Sequence, residues 1–380
     1  MIRNTPTFPI LILLFVILLE GFVTISVEIL AIRQLIPFVG NNVIVTSLII
    51  GVFLLFLALG YRRGGSYHEN FREILLVNFT KAAIILGIGL SYAFVALFFR
   101  TMRDSMVLHP LVDLSIYLLI VLAPLVYILG QTVPITMNLF KGQTIGAISG
   151  RVLYLSTLGS FLGAVLTSLL LLNFVGVAWS VFANYLILFF LSFLLVHSFR
   201  KNFVRLLILV VGLILVYVLN VTFEKDYFVH TNNYANYRVQ DGFEIAPGDV
   251  GKAFIVNQSI SSFINEAGQG ARYVELIKRL LFQELALHNK EILIVGAGGF
   301  TLSMANIYGN IFTYVDIDKD IKAVAEEYFI GNIEGEFIVE DARVFFDQTD
   351  RRFDVIISDA YQDQRSIPAY LLTVEHFENI

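Results

Sequence analysis

Seven apolar segments, each roughly 20 residues long, fill the first 223 residues of this chain. A helix of about 20 apolar residues crosses ~30 Å of hydrocarbon, where no water can satisfy an open backbone. We therefore predict about seven membrane-spanning helices, at 9–32, 41–60, 81–99, 112–134, 149–173, 178–197 and 204–222. The first segment contains Glu20 and Glu28 and lacks a cleavage site, so we expect it to remain as a helix.

The charges divide the chain into two unlike parts. Residues 1–223 hold 13 Lys and Arg against 6 Asp and Glu, whereas 224–380 hold 13 against 25. The hydrophobic content of 57% and the mean hydropathy of +0.76 exclude a simple soluble enzyme. The absence of cysteine excludes a disulfide scaffold, and the acidic balance excludes a nucleic-acid binder that works through basic charge.

The loop charges predict the orientation. Lys and Arg near the ends of spans are retained preferentially in the cytoplasm. The N-terminus and the even-numbered loops carry ten basic residues, Arg3, Arg62, Arg63, Arg72, Lys81, Lys141, Arg151, Arg200, Lys201 and Arg205. The opposite loops carry three, Arg33, Arg100 and Arg103. The N-terminus is therefore predicted in the cytoplasm, and seven spans then leave residues 224–380 outside. The alternative is that one apolar segment is re-entrant, which would keep these residues inside.

Two features of the membrane part have competing interpretations. Glu20 and Glu28 indicate either a path for a polar substrate or proton, or a Glu28–Arg33 pair at the interface with only Glu20 truly deep. Gly159 and Gly163 form a small-xxx-small pattern, for which close helix packing is the favoured interpretation.

The second part has the pattern of an α/β domain. Residues 224–288 predict a short β region and a helix that lead into it, and 289–380 predict alternating strands and helices. The strands are expected at Glu291–Val295, 311–317, Glu336–Val339 and 353–358.

A glycine-rich turn follows the first of these strands. Gly296, Gly298 and Gly299 allow backbone N–H groups to approach a ligand, and Asp316 follows Gly296 at the spacing of a ribose-binding carboxylate. Thr301 replaces the third glycine of a dinucleotide fingerprint, which disfavours pyrophosphate binding. Asp318, Asp341 and Asp359 also follow strands, so they are predicted along one sheet edge; for Asp318 and Asp341 a helix cap is the alternative.

These residues resemble the spermidine synthase, or polyamine aminopropyltransferase, family. The resemblance covers about residues 230–380, through the segments Val295–Gly299, Tyr314–Asp318, Glu340–Arg343, Asp354–Tyr361 and Ile367–Thr373. The membrane part is similar to bacterial membrane proteins with a spermidine synthase-like domain fused to a transporter-like helical region, through Glu28–Arg33, Gly60–Gly64 and Gly150–Tyr154 with Gly159. The resemblance implies a multi-pass inner-membrane protein with a Rossmann-like domain of the S-adenosylmethionine-methyltransferase type.

The implied activity is aminopropyl transfer from decarboxylated S-adenosylmethionine to a diamine such as putrescine. The nucleoside co-substrate would be bound by Gly296, Gly298, Gly299, Asp316 at the ribose, Asp318, Asp341 at the adenine amino group, and Ala342. The catalytic carboxylates would be Asp359 and Asp363, and the substrate contacts would come from Gln258, Tyr273, Glu275 and Tyr361. No tightly bound cofactor, metal or nucleic acid is expected. The expected partners are the lipid bilayer, a polyamine and an adenosyl nucleoside.

The chain departs from the family on the amine side of the site. The family's glycine loop, GGGDGG, contains an aspartate that is missing here, and Asp359 and Asp363 are four positions apart rather than three. Two alternatives therefore stay open: a polyamine- or nucleoside-binding transporter or sensor with a non-catalytic domain, and a methyltransferase. The family domain normally continues beyond Thr373, so a truncated domain is expected, whose exposed sheet edge would favour a homodimer.

Overall fold

A computed structural model describes residues 10–105, 109–140, 145–304, 306, 308–360 and 373–374. Contacts within the chain divide it into two compact units, Met1–Glu224 and Lys225–Ile380. The division lies one residue beyond position 223, where the charge and hydropathy change.

The first unit consists of helices. They are α1 Ile10–Val39, α2 Val43–Gly65, α3 Phe71–Gly89, α4 Tyr92–Ser105, α5 Pro110–Tyr117, α6 Ala123–Gly130, α7 Thr132–Met137, α8 Ile145–Leu166, α9 Gly176–Leu195, α10 Phe199–Tyr217 and α11 Phe223–Tyr227. Three π-helical segments, Leu118–Leu122, Thr167–Val175 and Val218–Thr222, continue α5, α8 and α10.

Several of these helices can cross a membrane. Within the described residues, five helical stretches are long and apolar enough, namely Ile10–Val39, Val43–Gly65, Pro110–Met137, Gly146–Leu195 and Phe199–Tyr227. The pair α3 and α4 raises the number to six if the two helices form one bent span. A membrane protein with several transmembrane helices is therefore confirmed.

The predicted third span, 81–99, differs from the observed helices. The helix begins ten residues earlier, at Phe71, and the chain bends by 61° between α3 and α4. At the bend the carbonyl oxygen of Gly89 accepts a hydrogen bond from the Tyr117 hydroxyl at 2.5 Å, and the Ser91 hydroxyl donates to the Ile88 carbonyl at 2.6 Å. Side chains thus satisfy carbonyls that the interrupted helix leaves open.

The glycines of α8 pack against α1. Gly159 faces the backbone of Leu18 and Gly163 faces that of Phe22, so closely that a Cβ at either glycine would collide with a carbonyl oxygen. Both positions advance by four residues, so α8 and α1 are parallel. The packing interpretation of this small-xxx-small pattern is confirmed.

The chain reverses direction between α8 and α9. The Phe15 and Phe190 rings meet edge to face at 6.3 Å, and Asn184 Nδ2 donates to the Ser26 hydroxyl at 2.8 Å. Advancing along α1 therefore means going back along α9, so these two helices are antiparallel. Gly176, at the start of α9, has a φ of +79°, a backbone conformation that glycine adopts without a steric penalty.

The second unit contains two sheets. Strands β1 His230–Thr231, β2 Asn236–Ala246, β3 Asp249–Val256 and β4 Ser259–Asn265 form an antiparallel sheet in chain order. Strands β5 Glu291–Val295, β6 Ile311–Asp316, β7 Glu336–Val339 and β8 Val355–Ser358 form a parallel sheet in the order β7-β6-β5-β8. The helices are α12 Arg272–Lys278, continued by a π-helical segment over Arg279–Glu284, α13 Ile321–Tyr328 and α14 Ala342–Gln348.

The four predicted strands of the parallel sheet are confirmed. β5 and β7 have the predicted bounds, while β6 ends one residue earlier and β8 begins two residues later. β5 lies between β6 and β8 and its last four residues are buried, which accounts for its uninterrupted apolar sequence. Aromatic side chains of both sheets share one core, which includes Phe254 of β3 and Phe312 of β6. The Phe254 ring also lies 5.3 Å from that of Phe329, the residue after α13.

Candidate nucleoside-binding site

A tight loop follows β5. Gly296 and Gly298 have φ angles of +91° and +52°, and Phe300 has one of +59°. A Cβ at Gly296 would lie 2.7 Å from the carbonyl oxygen of Asp359, the residue after β8. Glycine at position 296 is therefore required both by the backbone conformation and by the close approach of the two strand ends.

Two serines of β4 hold the other side of this loop. The N–H of Gly299 donates to Ser262 Oγ at 2.9 Å, and a Cβ at Gly298 would lie 3.1 Å from Ser261 Oγ. The sequence interpretation missed both serines, because a pair of small polar residues in a strand carries no distinctive pattern.

Asp316 connects the end of β6 to the glycine loop. One carboxylate oxygen accepts the Ala297 N–H at 2.8 Å and the other accepts the Asp318 N–H at 2.9 Å. Burial raises the pKa of Asp316, and these backbone hydrogen bonds oppose the increase. The carboxylate can accept a further hydrogen bond from another donor.

Asp318 has its hydrogen bonds inside the protein. Its side chain is buried, both its oxygens accept from Asn232 Nδ2 at 2.8 and 2.9 Å, and it accepts a third bond from the Tyr237 hydroxyl at 2.5 Å. The partners come from β2 and from the turn between β1 and β2 of the antiparallel sheet. Asp318 therefore ties the two sheets together, and its geometry favours a positioning role over contact with a ligand.

Asp341 caps a helix. It is the N-cap residue of α14, and its side chain accepts the Arg343 N–H at 2.9 Å. Ala342 is the first residue of α14 and packs against the small core cluster that includes Leu293 and Phe345. The capping interpretation of Asp341 is confirmed.

Asp359 meets Tyr273 beside the glycine loop. The Asp359 N–H donates to the Val295 carbonyl at 2.8 Å, and the Tyr273 hydroxyl lies 3.4 Å from Asp359 Oδ2 and 3.3 Å from the Ser261 carbonyl. Burial raises the pKa of Asp359 to about 6, and the hydrogen bond from Tyr273 opposes the increase. A carboxyl group that titrates there can exchange a proton near neutral pH.

The other expected substrate residues have local partners or lie elsewhere. Glu275 accepts the Gly270 N–H at 2.7 Å and forms an ion pair with Lys278 at 3.7 Å. Gln258 has a φ of +76° in the two-residue turn between β3 and β4. Tyr361 and Asp363 lie outside the described residues, as does the segment 367–372.

Together these residues form an acidic edge at the carboxyl ends of parallel strands. The glycine loop follows β5, Asp316 ends β6, Asp341 follows β7 and Asp359 follows β8. The charged groups are carboxylates, which favour a cationic or neutral ligand over a phosphate. Within the part of the chain that the structure describes, no group of three or more His, Asp or Glu side chains could hold a metal ion.

We find no match between this chain and any protein-family model, curated protein or solved structure.

Proposed function

We propose that the Lys225–Ile380 unit is a Rossmann-like nucleoside-binding domain of the S-adenosylmethionine-methyltransferase type. The strand order supports this, because the first strand of the parallel sheet, β5, lies between the second and the fourth. The chain runs from β5 through β6 to β7 on one side of β5 and then crosses to β8 on the other side. Open α/β sheets bind ligands at such a switch point. Gly296 and Asp359 meet there.

The proposed ligand is an adenosyl sulfonium compound. Asp316 would accept hydrogen bonds from the ribose hydroxyls, Asp341 one from the adenine amino group, and the backbone of the glycine loop would contact the nucleoside. The carboxylates of the acidic edge attract a sulfonium cation and repel a ligand that carries a carboxylate. They therefore favour decarboxylated S-adenosylmethionine, which has the sulfonium charge and no carboxylate.

The proposed reaction is aminopropyl transfer to a diamine. The neutral amine nitrogen attacks the propyl carbon bonded to sulfur, the new C–N bond forms as the C–S bond breaks, and methylthioadenosine leaves with the electron pair. The Asp359 carboxylate would attract the protonated diamine and accept its proton, and Tyr273 would orient that carboxylate.

One observation carries this proposal: the carboxylate of Asp359, with its pKa near neutrality, lies beside the glycine loop at the switch point. Full-length protein in nanodiscs, incubated with decarboxylated S-adenosylmethionine and putrescine, should yield spermidine and methylthioadenosine by mass spectrometry. Asp359→Asn should abolish product yet keep methylthioadenosine binding by calorimetry, whereas Asp316→Ala should abolish both.

The alternative functions predict different outcomes. S-Adenosylhomocysteine formed from intact S-adenosylmethionine would indicate a methyltransferase. Ligand binding or uptake into proteoliposomes without product would indicate a transporter or sensor. No binding of any of these adenosyl compounds would refute the nucleoside site itself.

We also propose that the membrane unit crosses the bilayer seven times. The reversal between α8 and α9 supports two spans in Gly146–Leu195. Arg72, at the start of α3, donates to the carbonyl of Leu195, and Tyr117 donates to the carbonyl of Gly89, at the end of α3. These contacts support a start of α3 that is remote from the start of α5. The pair α3 and α4 would then form one bent span.

An odd number of crossings leaves the nucleoside-binding unit on the side opposite the N-terminus. The basic loops support a cytoplasmic N-terminus, so the transfer would need its sulfonium substrate outside the cytoplasm. Alkaline phosphatase and a cytoplasm-dependent fluorescent protein, each fused after His230, test this side. Phosphatase activity supports seven crossings, and fluorescence supports an even number. We also propose a homodimer through this unit, in which a terminal strand of the sheet order, such as β7, pairs with a second copy.

A further inference from the structure

The membrane unit contains a cleft that the proposed transfer reaction does not use. It lies between α2, α7 and α8 and has a volume of about 410 Å³. The residues that line it are Tyr61, Val133, Pro134, Met137, Leu153, Ser156, Thr157 and Ser160. Tyr61 lies in the last turns of α2, directly before the basic pair Arg62 and Arg63, so the cleft is near the end of this helix.

Glu20 of α1 lies next to the wall of this cleft. The following residue, Gly21, packs against Ser156 and Ser160, and the Ser160 hydroxyl donates to the Gly21 carbonyl at 3.4 Å. Two of the polar residues that line the cleft, Ser156 and Ser160, therefore contact the residue that follows Glu20.

The carboxyl group of Glu20 lacks one hydrogen-bond partner. Its side chain is only 2% exposed, and Oε1 accepts a bond from the Thr24 hydroxyl at 2.7 Å. Among the described residues, Oε2 has no partner. An ionised carboxylate would leave an acceptor open there and a protonated one a donor, and either is costly in a buried site.

We propose that this cleft binds a primary alkylammonium group, with Glu20 as its counter-ion. An ammonium group supplies both the missing hydrogen bond to Oε2 and the compensating charge. The Tyr61 ring offers a face for the cation, and the hydroxyls of Ser156 and Ser160 offer acceptors. The apolar side chains of Val133, Met137 and Leu153 suit the methylene chain behind the ammonium group.

This site is independent of the proposed transfer reaction, because it lies in the other unit. The ammonium group has two sources, a soluble amine and the headgroup of an amine lipid such as phosphatidylethanolamine. The experiment therefore has one arm for each source.

The first arm measures binding of 1,4-diaminobutane to full-length protein in phosphatidylcholine nanodiscs. All proteins carry Asp359→Asn, which silences the amine site proposed in the other unit, so failure here leaves the transferase proposal untouched. In this background Glu20→Gln should weaken binding by at least about 30-fold, because it removes the charge that pairs with the ammonium. The matched control Glu28→Gln, a half-buried position on the same helix, should change affinity by less than about threefold.

The second arm exchanges phosphatidylcholine for phosphatidylethanolamine. Displacement of the diamine identifies the lipid headgroup as a competing source, whereas unchanged affinity restricts the site to soluble amines; both results support an ammonium site. Thr157→Leu, at an exposed position of the cleft wall, narrows the cleft without adding bulk at the Gly21 contact, so its loss of diamine binding decides the matter if Glu20→Gln fails to fold. Equal affinity of the Glu20→Gln and parent proteins, or no diamine binding together with no effect of Glu20→Gln on binding of phosphatidylethanolamine, overturns the proposal.

Discussion

Gly296 lies against the backbone of Asp359, so that the turn after β5 and the turn after β8 are in direct contact. The contact explains why a glycine is required at the first position of the loop, and it fixes Asp359 beside the proposed nucleoside site. The two ends of β5 and β8 are further tied by the Asp359 N–H to Val295 carbonyl bond. Changes to either turn should therefore affect the other.

Gly296→Ala should destabilise the nucleoside-binding unit. The alanine would adopt a strained backbone at φ +91° and collide with Asp359, so we expect a loss of about 3 kcal/mol or more. Gly248→Ala is the matched control, because Gly248 has a φ of +80° but, among the residues that the structure describes, no atom within 4 Å of a Cβ; it should cost about 1 kcal/mol. Chemical unfolding of the full-length proteins compares them; equal losses would mean that only backbone strain matters.

Asp316→Ala should loosen the glycine loop even without ligand. It removes the acceptors of the Ala297 and Asp318 N–H groups, which leaves partly buried donors unsatisfied at about 1 to 3 kcal/mol. Asp316→Asn keeps one carbonyl acceptor and should have a smaller effect. Hydrogen exchange at residues 296–300 should be faster than in the parent in both variants, and fastest in the alanine variant. Unchanged exchange in the alanine variant would show that the loop is held by Ser262 alone.

Asp359→Asn should stabilise the protein at high pH. The folded-state pKa of about 6 exceeds the ordinary value of 3.8, so the native state binds the proton more tightly than the unfolded state. The stabilising effect of the protonated Asp359 is complete below pH ~4 and is lost as the pH rises through about 6.

The neutral asparagine does not undergo this loss. The difference in unfolding free energy between the variant and the parent should therefore be larger at pH 8 than at pH 4, in favour of the variant, by about 1 to 3 kcal/mol. Denaturant unfolding at the two pH values measures this. A difference that does not depend on pH would mean that Asp359 has an ordinary pKa in the folded protein.

Much of the parallel sheet could be predicted from local sequence. β5 and β7 have the predicted ends because apolar, partly β-branched residues fill a buried parallel strand and polar or glycine residues end it. The cap at Asp341 also depends only on the next two residues. The sequence alone therefore predicts that the carboxyl ends of the strands lie at one edge of the sheet.

Contacts between distant segments could not be predicted in this way. Ser262 is 37 positions before Gly299, and Asn232 is 86 before Asp318, so no local period relates either pair. The bend between α3 and α4 likewise depends on Tyr117, a residue of another helix. The ligand-binding role predicted for Asp318 therefore differs from the positioning role that its geometry favours, because the sequence shows the carboxylate without the donors that surround it.

Tyr237→Phe should destabilise the second unit by about 2 kcal/mol. It removes a hydroxyl donor from the buried carboxylate of Asp318. Burial raises the pKa of Tyr237, and the charge of Asp318 raises it further. Tyr234→Phe is the control, because that side chain is exposed. A double-mutant cycle with Asn232→Ala should give a coupling energy of about 1 kcal/mol. Strict additivity would contradict a shared network at Asp318.

Gly163→Leu should separate α1 from α8, because the added side chain would collide with the Phe22 carbonyl and force the helices apart. Overpacking of this kind costs about 3 kcal/mol. Gly150→Leu is the matched control on the same helix, where a Cβ would meet no atom of the described residues within 4 Å. Thermal unfolding in detergent should distinguish the two variants.

The chain has no cysteine, so Phe15→Cys and Phe190→Cys add a single pair for cross-linking α1 to α9. A short bifunctional reagent should cross-link this pair in the parent and in the Gly150→Leu protein. In the Gly163→Leu protein the yield should fall, because the α8–α9 reversal links the position of α9 to that of α8. Equal yields in all three would show that α1 holds α9 without the help of α8.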